Sequence, residues 1–184
     1  MNARPPTCHD AAAVEVRPLG PDDALASWEL RLRGFEESPG AFKTEAAEWR
    51  AKPRAEHDRL LRGETGSPDD FILGAFSPAL CGQIGLCRET RRKCAHRAKL
   101  WGMYVAPEAR GNGVATQLVD ELVSRARKIP GLVIIELTVM ANNARALALY
   151  RRSGFKRFGY QPRAVKVGDA YFDEEHLMLE MLPT

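Results

Sequence analysis

The chain has 184 residues, of which 45% are hydrophobic and 28% charged, and its formal net charge is +3. A chain of this length buries about two thirds of the surface that its unfolded form exposes, which suits one globular domain and leaves no room for a second catalytic domain. The composition contains none of the long biased tracts that mark disordered or fibrous proteins.

The N-terminal residues MNARPPTCHDAAAVEV lack the basic start and apolar run of a secretory signal. The most apolar run, GLVIIELTVM, contains Glu136 and falls short of the ~20 residues that span a bilayer. We therefore expect a cytoplasmic protein without a membrane segment. Residues 1–12 are predicted to form a flexible tail and residues 13–184 a single domain.

The first half of the chain predicts a strand, two helical stretches and a hairpin. VEVRPL alternates as a short strand does, and Pro21-Asp22-Asp23 begins a helix over ALASWELRLRGFEE that ends at Ser38-Pro39-Gly40. A second helical stretch covers about residues 43–61 and is interrupted at Pro53. After the loop GETGSPDD, the strands DFILGAF and CGQIGLCRE form an antiparallel hairpin through residues 77–80.

The second half alternates strands and helices. AKLWGMYV is a strand that ends at Ala106-Pro107, and the segment after the next turn has an apolar stripe that predicts a helix ending at Pro130-Gly131. LVIIELTVM is apolar on both faces, as a central strand is. A short helix over residues 143–153 ends at Gly154, and FKRFGY and YFDEEHLMLEML supply two terminal strands. The fold class is therefore α/β with a mixed sheet.

The cysteines predict free thiols. Three of them, Cys81, Cys87 and Cys94, form with His96 a series C-x5-C-x6-C-x-H that matches no standard zinc spacing, and Cys8 lies apart from them. We expect reduced thiols and no metal.

The run RETRRKCAHRAK, from Arg88 to Lys99, is basic. Because it stands between two predicted strands and lacks interleaved aromatic residues, a solvated hairpin tip is favoured over a nucleic-acid site.

The run ARGNGVATQLV, after the strand that ends at Pro107, places a glycine turn at the start of a helix. A P-loop needs a lysine that is missing here, and a dinucleotide fingerprint needs a third glycine or alanine where Thr116 stands. The glycines let backbone N–H groups approach a ligand closely, and the helix start favours an anion, so a diphosphate fits. A turn that only begins the helix is the alternative.

This turn and a later motif together resemble the acetyl-CoA site of the GNAT superfamily of N-acetyltransferases. The pattern R-x-x-G-x-G/A is followed about thirty residues later by N-x-x-A-x-x-L-Y-x-x-x-G-F, and the resemblance is close from Phe71 onward. It implies the GNAT acyltransferase fold, a strongly twisted mixed sheet of 6–7 strands with about four helices, in which LWGMYV and IIELTV splay apart to admit the pantetheine arm. The residues that carry both patterns are Arg110, Gly113, Ala115, Asn143, Ala146, Leu149, Tyr150, Gly154 and Phe155.

The resemblance also assigns roles. It implies that Tyr150 protonates the departing thiolate and that Asn143, which also suits a helix N-cap, hydrogen-bonds the pantetheine arm with Asn142 beside it. The other residues that it places around acetyl-CoA are Met103, Tyr104 and Val105 for the pantetheine and thioester, and Arg110, Gly111, Asn112, Gly113, Val114 and Ala115 for the pyrophosphate.

The general base and the acceptor pocket are less defined. Glu136 and Glu89 are the candidate bases, and a water chain without an essential base is an equal alternative. Glu36, Glu37 and Phe42 are candidate acceptor residues because the region between the first two helices lines the acceptor pocket in the resembling family. Tyr171 and Asp173 are weaker candidates.

The sequence therefore predicts an acetyl-CoA-dependent N-acetyltransferase that acts on a primary amine of a small molecule or peptide. The alternatives are a coenzyme A-binding regulator or inactive module and, third, a nucleic-acid-binding protein that uses residues 88–99. The resemblance permits a homodimer through the terminal strands.

Overall fold

The computed structural model describes residues 13–64 and 66–181, so the predicted tail at residues 1–12 lies outside the described residues. The strands are β1 (Glu15–Pro18), β2 (Phe71–Phe76), β3 (Leu80–Arg88), β4 (Arg97–Val105), β5 (Ile134–Met140), β6 (Lys156–Val167) and β7 (Ala170–Glu180). The α-helices are α1 (Ala24–Glu37), α2 (Ala46–Ala51), α3 (Arg54–Leu61), α4 (Val114–Ala126) and α5 (Ala144–Arg152).

All seven strands form one mixed sheet in the order β1-β2-β3-β4-β5-β7-β6. β4 and β5 are its parallel pair, and they pair only where residues 97–99 face residues 134–136. Beyond that point the two strands separate, while β3 stays paired with β4 and β7 with β5. The mixed sheet and the predicted splay between LWGMYV and IIELTV are confirmed.

The second helical stretch forms two helices, so the described residues contain five α-helices rather than about four. α2 ends at Ala51 and α3 begins at Arg54, with Lys52 and Pro53 in extended conformations between them. Proline has no N–H to continue the helical hydrogen bonds, and it disfavours the helical conformation in the residue before it.

The helices cover opposite faces of the sheet. α4 and α5 bury their apolar stripes in the main core, together with alternate residues of β3, β4, β5 and β7 such as Ile84, Leu100, Ile135 and Leu177. α1 lies on the other face, where Ser27 bonds Gln83 of β3. α2 and α3 pack on α1 through an aromatic cluster that contains Trp28 and Trp49, whose rings stack at 4.3 Å.

β6 is longer than the predicted strand FKRFGY. It continues to Val167 through an irregularity between Gln161 and Val165, where Arg163 has a φ of +52°. The sequence does not predict this extension, because Pro162 and the polar residues around it disfavour a strand.

No helix among the described residues is long and apolar enough to cross a membrane.

Candidate functional site

The gap between β4 and β5 opens beside a β-bulge. Gln83 of β3 faces Tyr104, but Gly85 faces Trp101, so Ile84 alone stands opposite two residues of β4, Gly102 and Met103. Gly102 has a φ of +66°, which glycine adopts without strain. The bulge takes one residue of β4 out of the regular ladder at the edge of the gap.

The glycine turn begins α4 as the sequence predicts. Gly111 and Gly113 have φ values of +89° and +77°, and no side chain caps the helix. Within the described ranges, no backbone N–H group from Gly111 to Thr116 donates a hydrogen bond. These donors and the positive end of the helix dipole form an anion cradle.

A cavity of about 470 Å³ joins this cradle to the gap. Its walls come from the end of β4, the turn, the first turn of α4, one face of α5 and the segment after α1. The predicted coenzyme residues that line it are Met103, Tyr104, Val105, Arg110, Gly111, Gly113, Val114, Ala115 and Asn143, and Phe42 is the predicted acceptor residue among its lining. Asn112 and Tyr150 are not among its lining residues.

The Arg110 guanidinium is held by the protein. Its Nε donates to the carbonyl of Val105 at 2.9 Å, and its Nη2 lies 3.4 Å from Glu37 Oε2. The same carboxylate oxygen accepts the Tyr104 hydroxyl at 2.6 Å, and this hydrogen bond lowers the pKa of Glu37. Arg110 therefore fastens the turn to β4 and α1, while the backbone of the turn is left for the anion.

Tyr150 of α5 points into the main core. Its side chain is 5% exposed and its ring contacts Phe155 edge to face at 5.7 Å. Burial raises the pKa of Tyr150, so the phenol stays protonated. Its hydroxyl donates no hydrogen bond to a described residue, and it is therefore available as a donor.

Asn143 caps α5, as predicted. Its Oδ1 accepts the N–H of Ala146 at 3.1 Å. The Nδ2 amide remains a donor at the cavity wall. The cavity residues that the sequence interpretation missed include Arg145 and Arg152, because exposed arginines on a short helix resemble an ordinary solvated face.

The candidate bases lie outside the cavity lining. Glu136 sits where β4 and β5 cease to pair, and its Oε2 accepts Arg97 Nη2 at 2.6 Å. Glu89 is paired with Arg91 beyond the end of β3. Glu174 of β7 is a buried carboxylate that was not among the candidates from the sequence, and its Oε2 lies 2.7 Å from Lys43 Nζ.

The other acceptor candidates occupy several places. Glu36 is paired with Arg50, and Glu37 belongs to the network with Tyr104 and Arg110. Asp173 accepts hydrogen bonds from Tyr160 and from the backbone of Arg163, and Tyr171 is 56% exposed. The structure thus brings Phe42 to the cavity but none of these other side chains.

Cys81, Cys87 and Cys94 are free thiols, and Cys8 lies outside the described residues. No group of three or more metal-binding side chains occurs in the described part of the chain. In the basic segment, Arg88 pairs with Asp69 and Arg97 with Glu136, so part of its charge is neutralised.

Comparison with known proteins connects this site to one family. A family model described as the acetyltransferase (GNAT) family matches residues 31–155. The chain is 32% identical over 82 residues to L-methionine sulfoximine/L-methionine sulfone acetyltransferase of Pseudomonas aeruginosa, covering 45% of this chain and 47% of that protein. It is 36% identical over 111 residues to N-alpha-acetyltransferase RimI of Mycobacterium tuberculosis, covering 59% and 67%. The chain thus spans about half the length of the first relative and two thirds of the second.

Solved structures share the fold. An acetyltransferase of the GNAT family from Streptococcus pneumoniae superposes with a TM-score of 0.84 at 20% identity, covering 92% of this chain and all of that one. The yncA protein of Salmonella typhimurium, solved with its cofactor acetyl-CoA, gives 0.78 at 16% identity, covering 94% and 96%. At these identities the likeness concerns the fold alone.

Proposed function

Because the chain belongs to the GNAT family of acetyltransferases, we propose that it transfers the acetyl group of acetyl-CoA directly to a primary amine. The observation that carries the proposal is the row of backbone N–H groups at the start of α4, which donate to no described protein acceptor and line the cavity beside the splayed strands. One of the two relatives described above is named for L-methionine sulfoximine and L-methionine sulfone and the other as an N-alpha-acetyltransferase, so the names do not agree on one acceptor. The proposal therefore extends to a primary amine and no further.

Acetyl-CoA would lie with its pyrophosphate on the N–H groups of Gly111 to Thr116 and its pantetheine along the end of β4. The backbone of Met103 to Val105 would hold the pantetheine and polarise the thioester carbonyl, since donors fixed before the reaction cost nothing to reorganise. Asn143 lines the same cavity, and its Nδ2 amide is a further donor.

Tyr150 would act as the general acid by directing its hydroxyl proton at the leaving thiolate. Its hydroxyl is protonated and has no partner among the described side chains. A thiol has a pKa of about 8.5, far below that of a buried phenol, so a hydrogen bond donated to the developing thiolate is its main contribution. Since Tyr150 does not line the cavity, this role requires the thioester sulfur to reach down between β4 and β5.

The amine must lose a proton, because a free alkyl amine has a pKa of about 10.4. We propose Glu136 as the base, acting through water. Glu136 lies at the closed end of the gap, where it faces Lys99 of β4. Lys99 and Trp101 are two residues apart and therefore point to the same face of the sheet, and Trp101 contacts Arg31 of α1. Glu136 is thus on the face that α1 covers. Its ion pair with Arg97 holds the carboxylate in place.

Two measurements test the proposal. Acetyl-CoA at 100 times its Kd should stabilise the fold by about 2.7 kcal/mol, which corresponds to a rise of about 5–10 °C in melting temperature. Loss of thioester absorbance in the presence of amines should then show turnover. No thermal shift with saturating acetyl-CoA would refute the proposal.

A coenzyme A-binding module without turnover is the second candidate. The position of Tyr150 outside the cavity lining favours it. It predicts the same thermal shift, but no thioester loss with any amine.

We also propose a homodimer through the last two strands. β6 is an edge of the sheet, and Phe158, Tyr160 and Tyr171 on this hairpin are 53%, 50% and 56% exposed. Exposed aromatic residues on an unpaired edge favour self-association. Light scattering should give twice the chain mass, and a monomer at high concentration would contradict the proposal.

A further inference from the structure

Arg31 of α1 is a partly buried cation without an anion. Its Nε is buried and has no hydrogen-bond partner, and none of its other donors is paired with a described residue. Burial alone lowers the pKa of Arg31 to about 10, without a contribution from a carboxylate. Desolvating a cation costs several kcal/mol, so the absence of a counter-charge calls for an explanation.

Three aromatic rings surround this guanidinium. Its central carbon lies 5.2 Å from the ring of Phe35, 5.0 Å from Trp49 and 4.8 Å from Trp101. Cation–π contacts are worth about 0.5–2 kcal/mol each and offset part of the desolvation cost. The rings hold the guanidinium in one place and leave its hydrogen-bond donors unused.

The guanidinium lies at the bulge of β4. A Cβ built on Gly102 would overlap Arg31 Nη1, so this glycine gives the cation access to the backbone at the edge of the gap. Met103, the next residue, lines the coenzyme cavity. Phe42 connects the cavity to the rings around Arg31, because it lines the cavity and its ring lies 5.2 Å from that of Phe35.

We propose that Arg31 binds the carboxylate of the acetyl acceptor and that the acceptor is a free α-amino acid. This inference rests on the proposed acetyltransferase function. A guanidinium pairs with a carboxylate through two parallel hydrogen bonds, which would use the donors that Arg31 leaves vacant.

The spacing suits an α-amino acid. Adjacent residues of a strand are about 3.3 Å apart. A carboxylate bound to the guanidinium beside Gly102 would therefore lie close to Met103, the next residue, where the thioester carbonyl would be held. In an α-amino acid, the amine nitrogen lies about 2.5 Å from the carboxyl carbon. Once its carboxylate is bound by Arg31, its amine is directed toward the thioester. The N-terminal residue of a peptide has an amide in place of this carboxylate, and a polyamine has no anion.

The test compares each of the nineteen standard amino acids that have a primary α-amine with its α-amide, using the full chain and acetyl-CoA. Thioester loss is followed by absorbance, because a thiol reagent would also react with the free cysteines of the protein. The amino acid that turns over fastest should exceed its own amide by about 100-fold or more in kcat/KM, because the amide cannot form both charge-assisted hydrogen bonds. Arg31→Gln should remove most of this difference. Arg54→Gln, on the surface of α3, is the matched control and should retain it.

The melting temperature and its rise with acetyl-CoA show whether Arg31→Gln is folded and binds the donor. If this variant does not fold, Arg31→Met replaces it, because methionine keeps an apolar stem between the rings. Amides that react as well as acids, or a preference that survives both variants, would overturn the role of Arg31 while the acetyltransferase proposal stands. Thioester loss with peptide α-amines or polyamines alone would overturn the amino-acid acceptor in the same way. No turnover with any amine would remove this inference together with the function on which it rests.

Discussion

His57 of α3 should make the stability of the fold depend on pH. It is 4% exposed, and its Nε2 lies 3.1 Å from Ser27 Oγ, whose own proton goes to Gln83 Oε1. His57 is therefore the donor in its hydrogen bond, and its neutral form satisfies the cluster. Burial, followed by the positive charge of Arg31, lowers the pKa of His57 from 6.5 to about 4.

The sign and size of the effect follow from this difference. As the pH falls below 6.5, the unfolded chain takes up a proton at His57 while the folded chain does not, so the free energy of unfolding decreases. The decrease continues down to about pH 4, where the folded form also becomes protonated. At 1.36 kcal/mol for each pKa unit, the shift of His57 from 6.5 to about 4 removes about 3 kcal/mol in total.

Urea unfolding at several pH values between 7 and 4 measures this change. The stacked rings of Trp28 and Trp49 lie 5.8 and 5.7 Å from His57, so tryptophan fluorescence reports on the region itself. His57→Gln keeps an N–H donor near the position of Nε2 but cannot take up the proton. It should be less stable than the parent at pH 7 and should lose less stability on acidification.

His96→Asn is the matched control, because His96 is exposed and its side chain belongs to no buried cluster. This variant should keep the pH dependence of the parent protein. If His57→Gln retains that dependence in full, carboxylates rather than His57 are responsible, and the reasoning from the buried cluster is wrong.

Three further changes concern the proposed reaction. Gly113→Glu should abolish the thermal shift with acetyl-CoA, because it places a carboxylate in the anion cradle. Gly63→Glu is its control: Gly63 has a similar positive φ but lies away from the cavity, so this variant should reduce stability and keep the shift. Tyr150→Phe should lower kcat about 100-fold with the shift intact, as expected for loss of an acid, and an unchanged kcat would exclude that role. Glu136→Gln should lower kcat/KM while the thermal shift with acetyl-CoA stays intact, and an unchanged kcat/KM would leave proton removal to water.

The sequence predicted most of the elements because their signals are local. The apolar stripe of α4 and the proline between α2 and α3 require only neighbouring residues to be interpreted. The turn at Gly111 to Gly113 and the N-cap at Asn143 were recognised for the same reason. The bulge also had a local signal, a glycine inside LWGMYV, because an isolated glycine in a strand often marks one.

Arg31 could not be recognised from the sequence. On α1 it is one of several charged residues of an amphipathic helix, for which a solvated position is the ordinary expectation. Its environment is created by Phe35 from the same helix, Trp49 from α2 and Trp101 from β4. Only the tertiary fold shows that these rings surround the cation and that no described carboxylate reaches it.

The two halves of the proposed site share rigid supports. α1 carries Arg31 at the bulge and, near its C-terminal end, Glu37, which bonds both Tyr104 of β4 and Arg110 of the coenzyme turn. One helix and one strand therefore fix the acceptor-binding cation relative to the anion cradle. Transfer between two bound substrates depends on the distance between the reacting atoms, and an error of about 1 Å can cost 100-fold in rate. Because Arg31 lies on α1 and Arg110 fastens the coenzyme turn to β4 and α1, the same two elements support both binding groups and keep that distance constant.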